Sequence, residues 1–367
     1  MTLILWILFI FGTIRLAVSF TNMVTHPYLP DDYDRISDQK VSVLIPARNE
    51  ERNIGRLLSD LRALGGEIHE IIVYDDMSED LTARTVEKLA ADFPKLRLIR
   101  GTEKPEGWLG KNHACHKLAE RASGDWLLFL DADVRIRNHA VSRAVTYCMD
   151  NELRLLSIFP RQEMPSLGTR LAIPLMNVIL LSLLPLVAVR KAPQPSLSAA
   201  NGQFMCFSAE TYRLTEPHRN NRMSAVEDMA IVGSYKKSGL KVATLLGRDD
   251  VSCRMYDDLK DAVEGFSKNI FRFFGDSAVL CILFALVTTV TPFLYFIAGH
   301  NILGIVYLAV ILLIRIFVSL SSRQSVVLNL LLIIPQQFIL WKIIFTALLR
   351  KKRKKLYWKG RNVYSDR

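Results

Sequence analysis

Two carboxylates one residue apart, Asp131 and Asp133, follow the apolar run Trp126–Leu130 in the segment Gly-Asp-Trp-Leu-Leu-Phe-Leu-Asp-Ala-Asp-Val-Arg. The run has the length of a strand, and where a strand ends in a turn both side chains can converge on one point. Carboxylate oxygens so placed suit Mg²⁺ or Mn²⁺, hard cations that also hold a diphosphate. The chemistry on offer is a metal-assisted grip on a nucleotide-sugar. Asp-x-Asp arises often by chance, so this reading depends on the elements that would position the pair.

From Lys40 onward, short apolar strands alternate with amphipathic helices: 41–46, 53–64, 70–74, 81–92, 96–100, 112–122 and 126–130. This alternation predicts an α/β domain with a mainly parallel sheet, in which ligands collect at the carboxyl ends of strands. Three of the predicted strands end in polar clusters: Ala47-Arg-Asn-Glu-Glu, Asp75-Asp-Met-Ser, and Asp131-Ala-Asp. Taken singly, each has a structural explanation. Asn49 or Glu50 can cap the next helix, and Asp75, Asp76 and Ser78 are good turn residues before a helix capped near Asp80. Three such strand ends in succession favour a site.

Other side chains could complete it. Lys111 opens a predicted helix, where an ammonium and a helix N-terminus together attract an anion. Glu227 and Asp228, in Val226-Glu-Asp-Met, form a second acidic pair. They read either as first-turn acids favoured by the dipole of a helix continuing to Lys237, or as catalytic acids. His113 and His116 stand three residues apart without a third partner and read as ordinary helix residues rather than ligands.

The chain has 367 residues, 50% hydrophobic, with a mean hydropathy of +0.19, enough for one full-sized globular domain plus membrane segments. Its five cysteines lack paired spacing, which argues against a disulfide framework or a zinc site. A net charge of +11 could suit nucleic acid, but a basic run at 350–355 directly follows an apolar segment, and no basic motif is interleaved with aromatics. Anionic lipid headgroups fit that placement better, so nucleic acid is not an expected partner.

Residues 2–20 form an apolar stretch broken only by Arg15. It predicts an uncleaved anchor over 1–21, since a signal peptide would need a basic n-region and the Ala17-Val-Ser site is only passable. Basic residues follow it, which puts the N-terminus outside and the catalytic domain in the cytosol of a multi-pass cell-membrane protein. The charge-free stretch 171–189 is long enough to cross, but one crossing would separate Glu227 and Asp228 from Asp131 and Asp133, and Pro174 and Pro185 interrupt it. It is expected to lie in the interface and offer a lipid acceptor to the site. In the region 277–349, two spans joined by Gly299-His-Asn precede a third segment that is expected to bend at Pro335-Gln-Gln and stay in the inner leaflet or re-enter. The basic tail 350–367 is then cytosolic. Arg315, deep in a span, requires a partner.

Val43-Leu-Ile-Pro-Ala-Arg-Asn-Glu-Glu, Tyr74-Asp-Asp-Met-Ser-Glu-Asp-Leu-Thr and Leu130-Asp-Ala-Asp-Val resemble the nucleotide-binding half of family-two glycosyltransferases, over about residues 40–275. More specifically, Gly107-Trp-Leu-Gly-Lys-Asn-His-Ala-Cys, Arg254-Met-Tyr and Trp358-Lys-Gly-Arg-Asn-Val-Tyr-Ser resemble the diaponeurosporenoate glycosyltransferases, which glycosylate a carotenoid carboxylate. The resemblance implies a GT-A nucleotide-sugar-binding domain with N- and C-terminal transmembrane helices. It implies that Pro46, Ala47 and Glu50 line the nucleotide pocket and that Asp76, or its neighbour Asp75, reaches a uracil base. Asp131 would hold the ribose or sugar side, sharing the metal with Asp133. The Trp108–Lys111 loop would lie by the sugar-diphosphate, and Asn201-Gly202-Gln-Phe-Met would close on the donor sugar. Asp228, beside Glu227, would take the acceptor's proton.

Two departures qualify the resemblance. The Gln/Arg-x-x-Arg-Trp motif of processive synthases and ceramide glucosyltransferases is missing, and Phe266-Ser-Lys-Asn-Ile-Phe-Arg stands in its place, with Lys268 the candidate for the positive charge. The carotenoid enzymes also need no Glu-Asp pair, because a carboxylate acceptor is already ionised, so the pair here leaves room for a hydroxyl acceptor. The expected function is inverting transfer of a hexose, UDP-glucose being the foremost donor, to a carotenoid acid. Behind it stand other lipid acceptors (hopanoid, glycerolipid, polyprenyl phosphate) and a catalytically silent nucleotide-sugar-binding scaffold.

Overall fold

A computed structural model describes residues 2–31, 38–353, 357–358 and 361–362. Much of the predicted basic tail, and with it most of the terminal motif that begins at Trp358, lies outside the described residues. The chain opens with α1 (Thr2–Val24), then alternates β1 (Val41–Ala47), α2 (Ile54–Ala63), β2 (Glu70–Asp75), α3 (Thr82–Ala90), β3 (Leu96–Arg100), α4 (Gly110–Arg121) and β4 (Trp126–Leu130). Next come β5 (Val134–Ile136), α5 (Ala140–Asp150), β6 (Leu155–Phe159), β7 (Arg161–Gln162), α6 (Leu167–Leu183), α7 (Leu186–Lys191) and β8 (Phe204–Ser208). They are followed by α8 (Ala209–Thr215), α9 (Pro217–Asn220), α10 (Glu227–Lys237), β9 (Val242–Leu246) and β10 (Val251–Cys253). The last are α11 (Leu259–Asn269), α12 (Ala278–Ile297), α13 (Asn301–Ser321), α14 (Val326–Leu331), α15 (Ile333–Arg353) and the strand pair β11 (Tyr357–Trp358) and β12 (Arg361–Asn362).

Two compact units divide the chain: Met1–His26, Gln162–Pro185 and Met255–Leu356 form one, and Pro27–Arg161, Leu186–Arg254 and Tyr357–Arg367 the other. The second unit is built on a sheet of seven strands among the described residues, in the order β3-β2-β1-β4-β8-β6-β9. Val43, Leu44 and Ile45 of β1 are fully buried, as a strand covered on both faces demands. Each such side chain contributes about 1.5–3 kcal/mol on burial.

Strand direction assembles the site. β1 pairs in parallel with β2 and with β4, so the segments after Ala47, Asp75 and Leu130 leave one edge of the sheet together. β8 runs the other way, and its first residue, Phe204, sits opposite Leu130. The residues just before β8 therefore join the same edge.

α4 is tied to the chain ahead of α10. The Leu109 amide donates to the Arg222 carbonyl at 2.9 Å, and the buried Asn112 side chain donates to the carbonyls of Asn221, Arg222 and Ser224. These bonds set the first turn of α4 beside the first turn of α10.

In the first unit, Leu3–Val24, Ala278–Ile297, Asn301–Ser321 and Ile333–Lys351 are long and apolar enough to cross a membrane. The stretch expected as one interfacial helix is two helices, α6 and α7, interrupted at Leu184 just before Pro185. Pro174 is accommodated inside α6. The predicted bend near Pro335 falls earlier, at Leu332, between α14 and α15. Pro335 is the third residue of α15, where its missing N–H would have had no partner inside the helix.

Candidate active site

The loops after β1 and β2 are laced together. The buried Arg48 side chain donates to the carbonyls of Asp76 and Met77 at 2.6 and 2.9 Å, the Asn49 amide donates to Ser78 Oγ, and the Glu50 amide to Thr82 Oγ1. Asn49 and Met77 take left-handed backbone conformations, with φ near +53°, to make this crossing. The loop pair fixes Pro46 and Ala47 at the end of β1 and keeps Asp75 and Asp76 buried. Asp75 Oδ2 accepts from the Ser78 amide at 3.4 Å, while its buried Oδ1 has no hydrogen-bond partner among the described residues. A buried carboxylate oxygen with open acceptor capacity suits a ligand N–H.

At the end of β4, Lys111 from α4 is the organising cation. Its Nζ lies 2.9 Å from Asp131 Oδ2, 3.4 Å from the Gly202 carbonyl and 3.7 Å from Glu227 Oε1. The Gly202 amide donates to Asp228 Oδ2 at 3.0 Å, and the Met229 amide donates to Asp228 Oδ1 at 2.8 Å. A Cβ at Gly202 would lie 3.2 Å from Lys111 Nζ and 3.3 Å from Glu227 Oε1, so glycine lets the backbone pass between the charged groups. Gln203 Nε2 donates to both oxygens of Asp133, at 3.2 and 3.3 Å, and the Gln203 carbonyl accepts from the Asp131 amide.

The charge balance at this edge is strongly negative. Burial, together with Asp131 and Glu50, pushes the Asp133 carboxyl up to about 7. Burial likewise pushes Glu227 up to about 7, against the pull of Lys111 and with Asp228 adding to the rise. Asp228 is raised by burial and opposed by the Met229 and Gly202 amides and by Lys111. Burial alone would lower the Lys111 ammonium, but Asp131 and Glu227 outweigh it and keep the lysine charged. An excess of buried carboxylate around one lysine is the environment a divalent cation would relieve, and its donors are all hard oxygens. Asp131 and Asp133 therefore fit Mg²⁺ or Mn²⁺, with the remaining coordination left to water and phosphate oxygens, since no group of three or more metal-ligating side chains forms a cage among the described residues.

The structure thus brings together Lys111, Asp131, Asp133, Gly202, Glu227 and Asp228, with Glu50 within electrostatic reach of Asp133. Lys268 lies in the last turn of α11, in the other unit. His113 is buried edge-on to Tyr74 and Trp108, while His116 stacks on Trp108 and lies 3.2 Å from Glu120. Sequence reasoning missed Gln203 and Arg48. Gln203 sits inside the Asn201-Gly-Gln-Phe-Met segment, and Arg48 directly follows the β1 strand end, so position was the available signal for both.

Residues 42–172 match the family model described as Glycosyl transferase family 2. The match takes in β1 to β4 and the Asp131–Asp133 pair and ends before Gly202, Glu227 and Asp228. The 4,4'-diaponeurosporenoate glycosyltransferase of Staphylococcus haemolyticus (strain JCSC1435) is 30% identical over 241 residues, covering 63% of this chain and 61% of that protein. The protein of the same name from Staphylococcus aureus (strain USA300) is 28% identical over 236 residues, covering 63% and 60%. The chain thus matches about three fifths of the length of these relatives. Among solved structures, the mannosyltransferase PcManGT from Pyrobaculum calidifontis, in complex with GDP-Man and Mn²⁺, superposes with a TM-score of 0.54 at 18% identity, over 94% of this chain and 100% of that one. With its mainly parallel sheet and the acid-bearing strand ends along one edge, the chain has the GT-A glycosyltransferase fold, and its residues 42–172 are similar to family-two glycosyltransferases.

Proposed function

We propose that this chain is a membrane-bound inverting hexosyltransferase that moves a sugar from a nucleotide-sugar, UDP-glucose foremost, to the carboxylate of a carotenoid acid, with its catalytic domain in the cytosol. The observation that carries the reading is the junction at Lys111, where acids from the end of β4 and the start of α10 meet around one cation. The names of the staphylococcal relatives support the acceptor class.

In this reading the acceptor oxygen attacks the anomeric carbon from the face opposite the diphosphate, and the carbon–oxygen bond to the diphosphate breaks with its electron pair on the leaving group. Asp131 and Asp133 hold a divalent cation that, when bound, supplies charge neutralisation to that diphosphate. Lys111 turns its ammonium from Asp131 toward the leaving phosphate oxygens. Asp75 or Asp76 receives the base, and Pro46, Ala47 and Glu50 line its pocket. The Gly202 backbone closes on the sugar and holds Asp228 by its amide.

A second reading, a hydroxyl acceptor, draws on the raised carboxyl of Asp228, which makes it a better base than an ordinary aspartate. The two are separated by incubating membranes that contain the protein with radiolabelled UDP-glucose, or GDP-mannose in parallel, Mn²⁺ and total lipid, then treating the product with mild alkali. A coloured product whose sugar is released by base identifies a glycosyl ester of a carotenoid acid. A colourless, base-stable product identifies a hydroxyl acceptor, and no label with any donor contradicts the transferase reading.

A further inference from the structure

The apolar helices of the first unit carry buried positive charge with nothing negative to meet it. Arg15, in α1, is 5% exposed, and Arg315, in α13, is 6% exposed. The helices α1, α6, α12, α13, α14 and α15 contain no Asp or Glu at all. The acids of this unit fall at Glu163, Asp257, Asp258, Asp261, Glu264 and Asp276, outside those helices.

α1 and α13 lie side by side and run the same way. Gly12 packs on the Tyr307 ring, and the Phe20 and Phe317 rings are 5.5 Å apart. This seam brings the two guanidiniums within electrostatic reach of each other. The hydrogen-bond partners they have are neutral. Arg15 Nε donates to Ser182 Oγ at 3.1 Å, with its guanidinium 5.0 Å from the Phe284 ring centroid. Arg315 Nη1 donates to Gln336 Oε1 at 2.7 Å. Gln336 is itself held by the Arg170 carbonyl and by Asn329, so this network too is neutral. The other N–H donors of both side chains meet no acceptor among the described residues.

A guanidinium keeps its charge inside a protein, and burying two of them in one apolar bundle is strongly unfavourable without an anion. We propose that Arg15 and Arg315 form a binding site for an amphipathic oxyanion, the phosphate or carboxylate head of a lipid whose tails lie along the apolar helices. Arginine forks match both head groups in bidentate geometry. Both side chains sit toward the C-terminal ends of their helices, about 14 Å from Val24 and about 9 Å from Ser321 at the helical rise per residue, a depth that a lipid head can reach with modest local thinning. The inference is independent of the transfer reaction.

The test uses the full chain in phosphatidylcholine nanodiscs, alone or with phosphatidylglycerol, with oleate, or with inorganic phosphate in the buffer. Thermal melting is compared for wild type and the double variant Arg15→Gln/Arg315→Gln. The expected result is a rise of several degrees for wild type with phosphatidylglycerol or oleate, lost in the double variant, which in pure phosphatidylcholine melts no lower than wild type. Phosphatidylglycerol alone acting assigns a phosphate head, and oleate alone acting assigns a carboxylate. An equal rise in both proteins, a double variant that melts lower in phosphatidylcholine, or a response of wild type to inorganic phosphate alone would overturn the proposal. Native mass spectrometry of wild type gives a reading that needs no variant: one retained acidic lipid per chain supports the site, and a lipid-free chain sinks it.

Discussion

The Lys111 ammonium lies 2.8 Å from Oδ1 of Asp131 and bridges toward Glu227, joining a helix start to a strand end and to a second helix start within one unit. One cation faces Asp131, Asp133, Glu227 and Asp228, and in the proposed reaction a divalent ion and the donor's diphosphate would bind at this junction. Its present partners are the groups whose charge such ligands would take over.

Lys111→Met removes the cation and leaves Asp131 and Glu227 facing each other. The lysine side chain is 22% exposed, so solvent softens the loss, and the expected destabilisation of the metal-free protein is about 1–2 kcal/mol. Mn²⁺ should recover part of it, which melting curves with and without the metal would reveal. Turnover should fall about a hundredfold.

Gly202→Ala tests the close approach at the same junction. The φ of Gly202 is not in the left-handed region, so the added methyl meets crowding from Lys111 and Glu227 rather than backbone strain. The variant should melt within a few degrees of wild type while its rate drops by about tenfold or more. A large stability loss with an unchanged specific rate would place the importance of Gly202 in folding instead.

Gln203→Leu deletes the donor that orients both oxygens of Asp133. Removing such an outer partner typically weakens metal affinity by about 10- to 100-fold. A titration of activity against Mn²⁺ should therefore shift to higher concentration, with the rate at saturating metal much less affected.

The pH dependence has a definite sign. Asp133 and Glu227 have folded values near 7, above their ordinary 3.8 and 4.5, so the folded chain binds more protons than the unfolded one between those limits. Stability of the metal-free protein should accordingly fall as pH rises from about 4 to about 7. Because the metal competes with those protons, stabilisation by Mn²⁺ should be larger at pH 7.5 than at pH 5.5. Asp133→Asn/Glu227→Gln should flatten both trends, and melting curves at the two pH values decide it.

Much of this site was legible in the sequence because local pattern sets it. The strands at 96–100 and 126–130 and the helix from Glu227 to Lys237 fall where periodicity and turn residues put them. The interruption in the C-terminal region was anticipated, but its position was not: proline is tolerated in the first turn of α15, so the break falls at Leu332. Gln203 was missed for a different reason. Its proximity to Asp133 follows from β8 inserting antiparallel beside β4, a pairing between residues more than seventy positions apart that no local pattern announces. Arg48 was overlooked because its partners are backbone carbonyls of another loop.

The rate of sugar transfer by Asp133→Ala, measured across a Mn²⁺ titration beside a melting curve, tests the central claim most directly. A chain that melts like wild type but transfers about a thousandfold more slowly at every metal concentration is the predicted result. A folded variant that transfers at the wild-type rate would contradict a metal-assisted site at the end of β4.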